Sequence, residues 1–178
     1  MTTNTETIET TETATATATA ATAEYVKPTI RLAVDELAPK IAKAMNGVER
    51  AATEGVLEKP LREIVKLRAS QINGCVYCVD MHARDGVAGG DTWRRMNLVA
   101  VWREAPYFTA RERAALGLTE AVTRLADREV PDTVWAEAET HFSPEELAEL
   151  VWQIGIVNLW NRLGATTRLW ELSGGVED

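Results

Sequence analysis

The stretch SPEELAELVWQIGIVNLWNRLG, residues 143–164, restricts the fold more than any other part of the chain. Ser143, Pro144 and Glu146 stand at the spacing of a helix start. The hydroxyl accepts from an amide of the first turn, the proline sits where no N–H is needed, and the glutamate reaches back to the cap. Leu147, Leu150, Val151, Ile154 and Val157 then follow at helical spacing with further apolar residues between them. This near-continuous apolarity predicts a central, buried helix, and such a helix needs others around it. TARERAALGLTEAVTRLAD supplies one, with Thr109 and Glu112 at capping-box spacing and Ala114, Leu118, Ala121, Val122 and Leu125 on one face. Further helices are predicted near 35–53, 61–72, 75–88, 91–103 with Asp91 as cap, and 131–141. From Tyr25 onward no stretch alternates convincingly as a strand would. The expected fold class is all-α, one helical domain over residues 25–178 with short connections.

A chain of 178 residues buries enough apolar surface to fold without disulfide or metal staples. Residues 1–24 contain eleven Thr, six Ala and four Glu, and no basic residue. Met1 and Ile8 are the only larger apolar side chains there, so the sequence predicts a disordered Thr/Ala-rich tail. With 19 basic against 27 acidic residues, the formal charge of -8 offers no electrostatic reason for nucleic acid or an anionic membrane as partner. No run matches a membrane span, and the start has neither the basic nor the apolar region of a signal peptide. The expected compartment is the cytoplasm, where a close cysteine pair serves catalysis, redox sensing or metal binding more often than stapling.

Both cysteines and one of the two histidines fall in CVYCVDMH, residues 75–82. Asn73 and Gly74 break the preceding helix and Cys75 opens the next, so Cys75 and Cys78 stand i,i+3 and Cys78 and His82 i,i+4 on one side. A thiolate near a helix N-terminus is favoured by free N–H groups, and an imidazole one turn on can take or return its proton. Two thiols at this spacing can also close a disulfide. Two other readings stay open: a zinc site completed by His141, which lacks the second close pair of zinc modules, and two inert core thiols. Glu63, between Lys59 and Lys66 on its helix, reads from spacing alone as part of an ion-paired, solvated face. The six tryptophans read first as core or subunit-interface packing, Asn158 and Asn161 as buried, interface-specifying polar residues, and His141 as a partner for a helix C-terminus.

EIVKLRASQINGCVYCVDMH resembles the alkyl hydroperoxidase AhpD-like branch of the carboxymuconolactone decarboxylase superfamily. The pattern is a glutamate, eleven residues, C-x-x-C, three residues and a histidine, matched by Glu63, Cys75, Cys78 and His82. KLRASQING, WREAPYFTARERAAL and NLWNRLG are similar to members of the same group, and the resemblance spans about residues 30–172. It implies an all-helical domain that assembles into homo-oligomers. It also implies a thiol-dependent peroxidase whose oxidised form carries a Cys75–Cys78 disulfide, with Glu63 and His82 in one proton relay. Tyr77 stands where the best-characterised peroxidases of the group carry a second histidine. A phenol there can donate a hydrogen bond and relay a proton through water. Cys78 is the expected nucleophile, because only it lies one turn from His82. The expected partners are a hydroperoxide and a dithiol or redox-protein reductant, with no cofactor and no metal. The alternative is a thiol sensor or disulfide-exchange module without turnover; a lactone decarboxylase is the weaker reading.

Overall fold

The computed structural model describes residues 28–172, and the Thr/Ala-rich segment 1–24 lies outside them. Among the described residues there are eight α-helices and no strand. They are α1 (Val34–Leu37), α2 (Pro39–Thr53), α3 (Lys59–Asn73), α4 (Val76–Ala88), α5 (Trp93–Leu98), α6 (Ala110–Thr123), α7 (Asp132–His141) and α8 (Pro144–Thr167). A 3-10 turn, Val99–Val101, extends α5.

Both predicted capping boxes form. Thr109 Oγ1 accepts from the Glu112 amide, Ser143 Oγ accepts from the Glu146 amide, and each glutamate returns a bond to its cap. Three expectations are corrected. The helix expected over 35–53 is divided at Ala38, since Pro39 cannot donate to a preceding turn and instead occupies the first turn of α2. The cap of α5 is Thr92, whose hydroxyl accepts from the Arg95 amide, while Asp91 takes Arg95 Nε with both carboxylate oxygens at 2.9 Å. Leu125 lies beyond the end of α6 and is exposed.

The central helix is α3. Leu61, Ile64, Val65, Leu67 and Ala69 are fully buried against α4, α6 and α8. Helix α8 carries the expected apolar run, but only one side of it is covered: Leu147, Leu150, Ile154 and Val157 face the core, while Val151, Trp152 and Leu159 are exposed. Its apolarity therefore exceeds what the fold of one chain uses.

Helix α3 ends at Gly74, whose φ of 68° is left-handed and whose N–H caps Ser70 O. The chain then reverses, so that α4 folds back on α3. Asn73 Nδ2 donates to Asn158 Oδ1 and to Asn161 Oδ1 of α8, and Asn161 Nδ2 donates to Ser70 Oγ. The Cys75 amide closes the same corner on Ser70 O. Asn158 and Asn161 are thus buried polar residues as expected; Asn161 and the Oδ1 of Asn158 serve the corner before Cys75, while Asn158 Nδ2 donates to Thr123 Oγ1 of α6.

Candidate active site

Cys75 is the N-cap of α4, one residue before the helix proper, and Cys78 lies in its first turn. Their Cα atoms are 5.3 Å apart and the two sulfurs are joined in a disulfide. Both residues are almost inaccessible, but they face different surroundings. Cys78 lines a pocket of about 400 Å³, whereas Cys75 Sγ is packed towards Gly164 of α8, where a Cβ would approach it to 3.0 Å.

His82 follows Cys78 by one helical turn and lines the same pocket. Across the helical corner, Glu63 of α3 meets it: Glu63 Oε2 lies 2.9 Å from His82 Nδ1, and since a carboxylate only accepts, the imidazole is the donor. The second imidazole nitrogen is thereby left for exchange with the pocket. Glu63 is buried rather than solvated. Burial pushes its carboxyl up, but the hydrogen bond from His82 and the positive charges of His82, Lys66 and Lys59 outweigh this and hold it below the ordinary glutamate range. Lys66 turns instead to Glu49 of α2, 2.5 Å away.

Cys75, Cys78, His82 and Glu63 therefore form one assembly of buried side chains, and Tyr77 stands beside it as a pocket wall. The Tyr77 ring packs on Trp170, with centroids 5.3 Å apart, and Trp170 meets Trp160 edge-on at 6.0 Å. These two tryptophans correct the expectation of packing roles: of the six, only Trp102 is buried in the core, while Trp160 and Trp170 line the pocket. Asp35 and Asp85 complete its rim. No motif marked these four residues, three of which come from other helices or from the segment after α8.

His141 does not join this assembly. It ends α7, with Nε2 3.3 Å from Glu137, and it is neither a lining residue of the pocket nor a member of the cluster of possible metal ligands beside it. Donor atoms of Glu63, His82 and Asp85 all lie within 4.8 Å of one another, a set chemically able to hold a cation, although Glu63 and His82 already engage each other.

The model of the carboxymuconolactone decarboxylase family matches residues 39–121, the span that contains α2 to α5, most of α6 and the whole glutamate–cysteine–histidine assembly. The uncharacterized protein YdfG of Bacillus subtilis (strain 168) is 34% identical over 133 residues, covering 75% of this chain and 90% of its own. The chain belongs to the carboxymuconolactone decarboxylase family. It is an AhpD-like member: a protein of unknown function from Agrobacterium tumefaciens, ATU0492, with a suggested role as the antioxidant defence protein AhpD, is similar at 36% identity. That similarity has a TM-score of 0.79 and covers 82% of this chain and all of the other. The debrominase Bmp8 is similar at 18% identity and a TM-score of 0.70, over 78% of this chain and 74% of its own, a likeness of fold alone.

Proposed function

We propose that the chain is a thiol-dependent hydroperoxidase whose nucleophile is Cys78. The observation that carries this reading is that Cys78 and the His82–Glu63 pair open on one cavity, with Cys75 within bonding distance behind. In the reduced protein, Cys78 gives its proton to the His82–Glu63 pair and attacks one peroxide oxygen as thiolate. The O–O bond breaks, Cys78 becomes a sulfenic acid, and the leaving alkoxide takes a proton from His82. The Cys75 thiol then attacks the sulfenic sulfur, water leaves, and the disulfide forms. An external dithiol or redox protein supplies the two electrons and two protons that reset the pair. A reducing cytoplasm fits that requirement.

Proton delivery decides the rate more than thiolate formation does. Lowering a thiol pKa from about 8.5 to about 6.5 raises the thiolate fraction at pH 7 roughly 25-fold. The accompanying loss of nucleophilicity returns roughly 6- to 10-fold of it. General acid catalysis is typically worth about 10²- to 10⁴-fold, and the histidine one turn from Cys78 is placed to provide it. We include self-association in the proposal, because Leu37, Ile41 and Trp152 leave large apolar side chains in solvent.

The deciding experiment is steady-state consumption of organic hydroperoxide with a dithiol reductant, alongside intact mass after a single addition of peroxide. Sustained turnover with disulfide formation is expected. A disulfide that forms once and never turns over with any reductant would replace the peroxidase with a thiol sensor or exchange module.

A further inference from the structure

The pocket in front of Cys78 has two unlike walls. One is aromatic and apolar: the Tyr77 ring lies tilted against Trp170, which meets Trp160 edge-on, and Met81 and Val157 line the same cavity. Trp160 is held in place by its Nε1–H, which donates to Glu49 Oε2 over 3.2 Å. The other wall is acidic. Asp35, Glu49, Glu63 and Asp85 face the cavity, against one lysine, Lys66, and one histidine, His82.

These charges do not cancel. Lys66 is committed to Glu49, and His82 to Glu63. Asp35 and Asp85 have no ion-pair partner among the described residues, so the unbalanced charge at the rim is negative. Lys66 offers no free cation to a carboxylate, because its ammonium already lies against one. At about 400 Å³ the cavity is in the size range of pockets that enclose a small organic molecule, and far larger than hydrogen peroxide needs.

We propose that this pocket selects an uncharged or cationic organic hydroperoxide bearing a flat aryl or similarly broad apolar group, laid on the Tyr77–Trp170–Trp160 wall, and excludes anionic hydroperoxides through Asp35 and Asp85. The inference rests on the reading that the peroxide meets Cys78 in this cavity. A carboxylate brought into it would lose hydration, find no free cation among the lining residues and face two aspartates that form no ion pair with any described residue, and like charges at close range repel more strongly as water is removed. The same field disfavours a carboxylated lactone.

Binding tests this without requiring turnover. Tryptophan emission of the full-length, disulfide form would be titrated with cumyl alcohol, the product left by cumyl hydroperoxide, and with its para-carboxylate and para-trimethylammonium analogues. The neutral and cationic compounds are expected to bind saturably, and the carboxylate more weakly by about tenfold or more, equivalent to ~1.4 kcal/mol. In the Asp35→Asn/Asp85→Asn protein, checked for unchanged helicity by circular dichroism, the carboxylate should regain most of that loss. Binding of the carboxylate as tight as that of the alcohol overturns the proposal. So does a failure of the alcohol to bind saturably, or a discrimination that the double variant leaves intact. Turnover of cumyl hydroperoxide is measured separately: selective binding without turnover removes the peroxidase reading and leaves the pocket's selectivity standing.

Discussion

Cys75 and Cys78 are covalently equivalent in the disulfide but not in their surroundings. Cys78 faces the pocket one turn from His82, while Cys75 is packed towards Gly164 and lies seven residues before the histidine. The helix dipole does not reverse this order: it is worth up to about 2 kcal/mol in a partly buried setting, it also reaches Cys78 in the first turn, and it cannot move a proton as the histidine can. Cys75→Ser is therefore expected to consume about one equivalent of peroxide and accumulate a sulfenic acid that dimedone traps. Cys78→Ser should react slowly and give no such adduct; labelling of Cys75 alone would reverse the assignment. His82→Gln and Glu63→Gln should each slow peroxide reduction, by up to about 10²- to 10⁴-fold for the histidine, with helicity retained. Rates equal to wild type in both would remove the pair from the chemistry. Because Glu63 is held below the ordinary glutamate range, it stays ionised through neutral pH, and its support of His82 fades only as the pH falls through that depressed value.

Helices α3, α4 and α8 hold the site through close approaches that tolerate little change. A Cβ on Gly164 would come within 2.8 Å of the Trp170 ring as well as 3.0 Å of Cys75 Sγ, so Gly164→Ala must displace one of them. We expect a loss of about 1 to 3 kcal/mol in urea unfolding, the usual range for overpacking, together with a changed tryptophan emission. A variant with wild-type stability and emission would show that α8 can shift to admit the methyl. The asparagine network explains why the corner before Cys75 is firm. Asn161 is fully buried, and its amide bridges Asn73 at the end of α3 to Ser70, whose carbonyl holds the Cys75 amide. Removing one member of such a network leaves buried partners unpaired, which costs more than the bond itself contributes.

Away from the site, Glu120 of α6 draws the molecule together. Its carboxylate accepts from Arg68 of α3, from Arg103 and from Trp102 Nε1, with Arg124 at 3.7 Å. Burial raises its pKa, and those donors outweigh the effect and lower it. Glu58, Glu112 and Glu146 are lowered as well, each paired with an arginine. A carboxyl with a depressed folded-state pKa adds stability above its unfolded value and loses it as the pH falls through the folded one. The protein should thus unfold more readily as the pH drops below about 4.5, the ordinary glutamate value. Glu120→Gln should cost about 3 kcal/mol at neutral pH and flatten that acid slope. A slope unchanged in the variant would assign acid sensitivity to other carboxylates. If the exposed side of α8 mediates self-association, Trp152→Glu should move the protein towards monomer in light scattering, and an unaltered mass would place the interface elsewhere.

Local chemistry was enough to predict the helices with strong start signals and the Cys78–His82 spacing. Capping boxes, prolines and i,i+4 neighbours act within a few residues, and nothing distant overrides them at Thr109, Ser143 or α4. The same periodicity misjudged α8, because a run of apolar residues records burial without distinguishing the core of one chain from a surface left open. For Glu63, spacing favoured a solvated face beside Lys59 and Lys66, and only the resemblance joined it to His82. What brings them to 2.9 Å is the left-handed turn at Gly74 and the packing of α4 back onto α3, a contact between residues nineteen apart. The pocket is more remote still from the linear order. Asp35, Trp160 and Trp170 come to the pocket that Cys78 lines from α1, from α8 and from the segment beyond it, and none carries a signal in its own neighbourhood of the chain. Their convergence depends on how whole helices stack, which is set by the summed burial of α3 against its neighbours and not by any single motif.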